Sequence, residues 1–493
     1  MSLLRPGRAL LPFLLALLVI RLWLMPLPSS FWLDEIATVF VAQHGSNHPS
    51  LAAAAPQAWR SWYYPGVRLW ATLFGYSEVA ARIPSILAMA GCLALLAQLS
   101  KRLIHPESGW FAVIACLALP GINYQAANAR PYALGMCVFA AAMLFLVRWL
   151  DSASMLDALL FVACAGSVLY IHLLFWPSCL VFVLYAVARI VLRETPVTWK
   201  RALAVFAILG CAILPVATQM VRLLPEARLH VIAPLPSPAQ FLRSLELTLV
   251  LGCAVGAWIV ARLLKWPPDP LPYAPAMVLI ASWWLCQPVL LFGYSWLTGE
   301  GVFVPRYLQL ALPGAALMAT ALAARFIPSR QWKPIVTVAA LAVLIFLGHW
   351  RELWPSHHNS DWRAAALAVN HLESVGEIPV ICPSPFIEAR PPVWRPDYPL
   401  PGFLYAHLSV YPIHAPVSLL PFENSTEAEA FASTLAHGML APSRRFLIYG
   451  WEPQVHYWRD WFSSRAEFAG WRERRIGPFA DVDVVEFEAP GVD

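Results

Sequence analysis

"ALLPFLLALLVIRLWLMPLPSSFWLDEIATVF", residues 9–40, runs apolar for nineteen residues to Leu27 and then sets two acids, Asp34 and Glu35, among aromatic and aliphatic neighbours. A stretch of about 20 apolar residues is what an α-helix needs to cross some 30 Å of hydrocarbon. The rest of the chain repeats the pattern. Of its 493 residues 59% are hydrophobic and only 13% charged, against about one quarter charged in an ordinary soluble domain. Eleven apolar segments are read as spans: 9–27, 83–100, 110–124, 131–149, 155–171, 173–192, 203–223, 245–264, 273–297, 307–327 and 332–350. The implied fold class is a polytopic α-helical membrane protein.

The acids divide the chain. Eleven of the 29 Asp and Glu precede residue 351 and eighteen come after it, so 1–350 reads as a transmembrane domain and 351–493 as a soluble one. In the soluble part "DWRAAALAVNHL" (361–372) has helical spacing, and "IPVIC" (378–382), "RRFLIYG" (444–450) and "VDVVEFE" (482–488) read as buried strands, which predicts a small α/β domain. With the N-terminus inside, the inner loops hold thirteen Lys and Arg and the short outer loops eight. The positive-inside rule then puts the C-terminal domain, and the long first loop 28–82, on the outer face. Eight of nine cysteines lie in or beside spans and none forms a CxxC pair, so there is no disulfide framework. The basic excess of +5 suits a surface facing anionic lipid, and nothing points to nucleic acid.

A first loop of this length is a place for function. Ser30 is expected to cap a short helix from near Phe31, with Asp34 and Glu35 in its first turn, where the helix dipole favours acids. The plainer alternative is an interfacial helix with stabilising N-terminal charge. Arg130 precedes Pro131 in "NARPYALGMCV", and Arg306 comes directly after Pro305 in "VFVPRYLQLAL". A cation at a helix N-terminus opposes the macrodipole unless an anion sits there too. The alternative for either arginine is snorkelling towards lipid phosphates. His172, between two spans in "LYIHLLFW", is a turn residue or a substrate contact.

These pieces together resemble a family. The acidic pair after the first helix, "RLWATLFGYSEVAARIPS" at 68–85, "ARPYAL" at 129–134 and "FVPRYL" at 303–308 look like the GT-C membrane glycosyltransferases that use polyprenyl-phosphate sugars, a group with protein O-mannosyltransferases, aminoarabinose transferases and Rgt-type enzymes. The resemblance covers roughly 9–350. It implies inverting transfer to an acceptor hydroxyl of a glycan, lipid or protein on the outer face of the cytoplasmic membrane. Asp34 would be general base with Glu35 beside it; Arg306, Arg130, Tyr307 and Tyr132 would bind the donor phosphate; His172, Glu78, Arg82 and Asn128 would be substrate contacts. Two arginines suffice for a monophosphate, so no cofactor or divalent metal is required, though the reading leaves room for a metal. The chain departs from the pattern twice: the first loop reads "WYYPGVRLW" where relatives have His-Pro-Pro, and Asn128-Ala129 stands where many carry Glu before the "ARPY" motif. The loss leaves Glu35 or Glu78 as nearby carboxylates to assist Asp34. The rival readings are a transporter or flippase, which predicts midplane charges and inverted repeats that the sequence lacks, and a non-catalytic polyprenyl-lipid binder.

Overall fold

The computed structural model describes residues 6–229, 233–373 and 378–491. The chain forms two compact units. The first comprises the N-terminal helix to Leu27, Ser61–Tyr63 and Arg82–Pro355; the second comprises Pro28–Arg60, Tyr64–Ala81 and Ser356–Asp493. Most of the long first loop, which the sequence groups with the membrane part, therefore packs with the C-terminal segment.

Every apolar segment of the membrane unit is helical. Among the described residues, eight helices are long and apolar enough to cross a bilayer, and two shorter ones cover Leu10–Leu24 and Met155–Ile171. The remaining segment is broken: Gly109–Leu117 and Pro120–Ala126 meet at 84°. Pro120, which has no N–H to continue the first helix, starts the second. The stretch 155–192 divides at His172, whose extended backbone separates the helix Met155–Ile171 from a 3-10 turn, Leu173–Ser178. Facing side chains such as Met89, Met136, Phe139, Phe182, Trp283 and Leu317 make one continuous core. Leu251, Trp258 and Leu263 on one helix and Val338 and Phe346 on another point outward. Apolar surface costs roughly 25 cal/mol per Å² in water and nothing in hydrocarbon, so these faces belong against lipid. Gly314 lets two helices touch: a Cβ there would stand 2.5 Å from the backbone N of Trp284.

Arg21, within the first apolar stretch, faces the bundle. Its guanidinium donates to the carbonyls of Gly348 (2.6 Å), His349 (2.7 Å), Leu353 (3.0 Å) and Glu352, just past the end of the helix Trp332–Leu347. Helix C-termini leave carbonyls without donors and carry partial negative charge, which a cation there offsets. Arg82, fully buried, donates to Leu27 O at 2.7 Å.

The second unit holds a five-stranded sheet: β1 (Val380–Pro383), β2 (Val417–Leu420), β3 (Arg445–Trp451), β4 (Arg472–Phe479) and β5 (Val482–Glu488), in the order β2-β1-β3-β5-β4. The first three strands run parallel, with Val380 opposite both Val417 and Leu447, and β5 and β4 continue antiparallel. The helices Trp362–Glu373 and Glu452–Ser463 pack on the sheet. β4 is exposed and opens Arg-Glu-Arg-Arg; charge on an edge strand blocks pairing with another chain. Parallel strands leave their loops at their carboxyl ends, where α/β sheets place functional groups. The segment 384–394 leaves β1 there and carries Glu388.

Candidate active site

In the membrane unit the sequence motifs converge on His172. The "NARPY" turn is set by Asn128, whose carbonyl accepts from Ser85 Oγ (2.6 Å) and Arg130 N (2.7 Å) and whose amide donates to Gln125 (3.0 Å). The helix then starts at Tyr132, one residue later than expected, with Pro131 at the N-cap. On the other side Gly299, at φ +76°, ends the helix Ala274–Thr298, and Gly301 passes so close to Ala233 O that a Cβ would overlap it. Val304 is extended and Pro305 opens a 3-10 turn, Pro305–Ala311, with Arg306 next inside, as expected. That turn is fixed by side chains of the preceding helix: Trp283 Nε1 donates to Leu310 O (2.7 Å) and Gln287 to Tyr307 O.

The result is a cluster of rings flanked by two cations. His172 lies 5.5 Å from Tyr132, 5.7 Å from Tyr307 and 5.0 Å from Phe175, centroid to centroid. The Arg130 guanidinium stands over the Tyr132 ring at 6.0 Å and that of Arg306 over Tyr307 at 5.3 Å. Both guanidiniums bear electrostatically on His172. Arg130, Tyr132, His172, Arg306 and Tyr307, distant in sequence, are thus brought together. Two guanidiniums with five N–H donors each form a surface suited to a phosphate.

In the second unit the helix carrying the acids runs Leu33–His44 with Trp32 at its N-cap. Ser30 does not cap it, contrary to expectation, because its hydroxyl is engaged by Tyr411 and by the N–H of Arg363. Glu35 is fully buried and accepts from Trp32 N, a long bond of 3.4 Å closing the first turn. Asp34, on a different face of the same turn, is partly exposed. Its charge is felt by Glu388. Burial first, and then the Asp34 charge, push the Glu388 carboxyl above the usual carboxylate range. Phe386, two residues before Glu388, packs on Phe403 (4.8 Å), and Phe403 packs on Phe40 of the acidic helix (5.9 Å).

The other expected contacts each make hydrogen bonds within the chain. Glu78 accepts from Tyr411 Oη (2.9 Å) and Arg363 (3.0 Å), Arg82 holds Leu27, and Asn128 shapes its turn. Sequence reasoning missed Glu388, Tyr411 and Arg363; the only local signal was that Glu388 comes after an apolar strand. Elsewhere in this unit Glu452, His456 and Asp483 present donor atoms close enough to share a metal ion. Arg475 already donates to Asp483 (2.7 Å) and Glu452 (3.1 Å), so both acids already share a cation of the protein.

Residues 66–214 match the family model described as dolichyl-phosphate-mannose-protein mannosyltransferase. No curated protein sequence matches the chain. Among solved structures, ArnT from Cupriavidus metallidurans bound to undecaprenyl phosphate is 11% identical, with a TM-score of 0.56 over 96% of this chain and 97% of that one. The same protein in the apo state is 12% identical, with a TM-score of 0.57 over 97% of each chain. The likeness in fold therefore runs from end to end of the chain: its fold is that of ArnT.

Proposed function

We propose that this protein transfers a sugar from a polyprenyl-phosphate donor to an acceptor hydroxyl, with inversion, at the outer face of the cytoplasmic membrane. The observation that carries the reading is the pairing of Arg130 and Arg306 around one aromatic cluster of the membrane unit. Asp34 takes the proton of the acceptor hydroxyl, whose oxygen forms a bond to the anomeric carbon as the bond from that carbon to the phosphate oxygen breaks. The departing polyprenyl phosphate keeps the electron pair and gains negative charge. Arg306 and Arg130, with Tyr307 and Tyr132 against them, stabilise that charge better than the less charged donor ester, and this difference lowers the barrier. The match of residues 66–214 to a mannosyltransferase model and the likeness to an ArnT crystallised with undecaprenyl phosphate support the donor class. The acceptor class is a cell-envelope glycan, a lipid or a protein.

The test is transfer of radiolabelled sugar from polyprenyl-phosphate donors in membranes holding equal amounts of the wild type or Asp34→Asn. Transfer by the wild type that falls by about 10³-fold or more in the variant supports the base role, the scale being that of losing a reacting group. Equal transfer by both removes Asp34 from the chemistry, and absence of transfer with every donor favours a lipid binder or flippase.

A further inference from the structure

The five residues immediately before the acidic helix are each held by the C-terminal segment. Arg363 donates through Nη2 to Pro28 O (2.9 Å). The N–H of His357 donates to Ser29 Oγ (3.1 Å), and that of Arg363 to Ser30 Oγ (3.2 Å). The N–H of Phe31 donates to Tyr411 Oη (2.9 Å). The Trp32 ring stacks on His358 at 4.7 Å and 3°. At the far end of the same loop, Glu78 accepts from both Tyr411 and Arg363. One phenol and one guanidinium thus grip the loop where it starts and where it ends.

We propose that Tyr411 and Arg363 are positioning residues that set the place of Asp34 for proton transfer, so that the C-terminal domain forms part of the catalytic apparatus. The physics is that of orientation. Asp34 lies two residues beyond Trp32 on the first turn of a helix whose own hydrogen bonds fix only the later residues. Its approach to an acceptor hydroxyl is therefore decided by where residues 28–32 enter the turn. A base displaced by about 1 Å loses on the order of 10²-fold in rate without losing its chemistry. Tyr411 is suited to the task because it is buried and uses its hydroxyl both to accept from Phe31 and to donate to Glu78. Phenylalanine in its place keeps the ring packed on Phe31 and removes these bonds together with the one from Ser30 Oγ.

The inference rests on Asp34 being the base, and its test separates the two ideas. In the full-length protein, Tyr411→Phe is compared with the wild type by hydrogen exchange and by transfer of radiolabelled sugar from polyprenyl phosphate. Amides 31–36 are expected to exchange roughly tenfold faster, with the thermal midpoint little changed. Turnover is expected to fall about 10- to 100-fold, with the donor KM within about twofold. Arg363→Lys keeps one of the two grips and is expected to retain more turnover than Arg363→Ala. Unchanged exchange overturns the docking. Faster exchange with unchanged turnover, or a raised KM at unchanged turnover, overturns positioning. If Asp34→Asn transfers sugar normally the base reading fails, while the exchange data still decide whether Tyr411 holds the segment.

Discussion

Arg21→Met should loosen the membrane unit by an amount that can be worked from its contacts. The methionine fills a similar volume but leaves the carbonyls of Gly348, His349, Glu352 and Leu353 without this donor. Taking about 1 kcal/mol for each, the ordinary net worth of a hydrogen bond, the loss is about 4 kcal/mol. The cation over the Trp350 ring at 5.4 Å adds under about 1 kcal/mol, and burial of the thioether returns about 1.5 kcal/mol. The net is about 3 kcal/mol, which corresponds to roughly 6–12 °C in the thermal midpoint at about 2–4 °C per kcal/mol. Because such unfolding is commonly irreversible, the assay is the temperature of half-loss of monodisperse protein in detergent at a fixed heating rate. Arg21→Lys, with three donors on a point charge, should fall between the two. A midpoint within about 1 °C of wild type for Arg21→Met would refute the reasoning, since it would mean the four carbonyls find water at no cost.

Two more outcomes are expected at the sites. Arg306→Lys keeps the charge but not the planar fork, so transfer should drop about tenfold, and Arg306→Ala by about 10²- to 10³-fold, read as turnover of radiolabelled donor. His407 is fully buried, with Nε2 3.1 Å from Cys382 Sγ and no hydrogen-bond partner for Nδ1 among the described residues. Burial lowers its pKa from 6.5 to about 3. Between those values the unfolded chain binds a proton that the folded one refuses, so stability is full above pH 6.5 and falls towards pH 3, by up to about 1.4 kcal/mol per unit. His407→Leu should flatten that acid-side fall in the thermal midpoint between pH 6.5 and about 4.5, and an unchanged slope would count against it.

The membrane helices are legible in the sequence because hydrocarbon selects composition over long windows, and even the shortest segment, 110–124, exists as a bent pair. Strands β1, β3 and β5 stand out as apolar runs. β4, "RERRIGPF", does not, since an exposed edge strand carries charge where a buried one carries Val or Ile. β2, which starts right after a proline and has four residues, is too short to show a period. Arg130 and Arg306 can be picked out because a cation beside a helix-opening proline is locally odd. Glu388, Tyr411 and Arg363 cannot, because their meaning lies in partners hundreds of positions away, and nothing local to Tyr411 says that its hydroxyl serves Phe31 and Glu78. Ser30 misleads for the same reason: a serine before a helix looks like a cap until a distant tyrosine claims it.

The division of the first loop has a consequence for biosynthesis. Residues 28–60 and 64–81 belong to a unit whose sheet begins only at Val380. At roughly 5–20 residues per second, the ribosome needs about 15–60 s after Ala81 to reach the first residue of the C-terminal segment. For that interval the apolar "FWLDEIATVF" lacks the short helix Ala406–Val410 and the aromatic side chains it packs against. The newborn chain must keep it from aggregating until its partner arrives, and a chain truncated after the last membrane helix would never release it from that state.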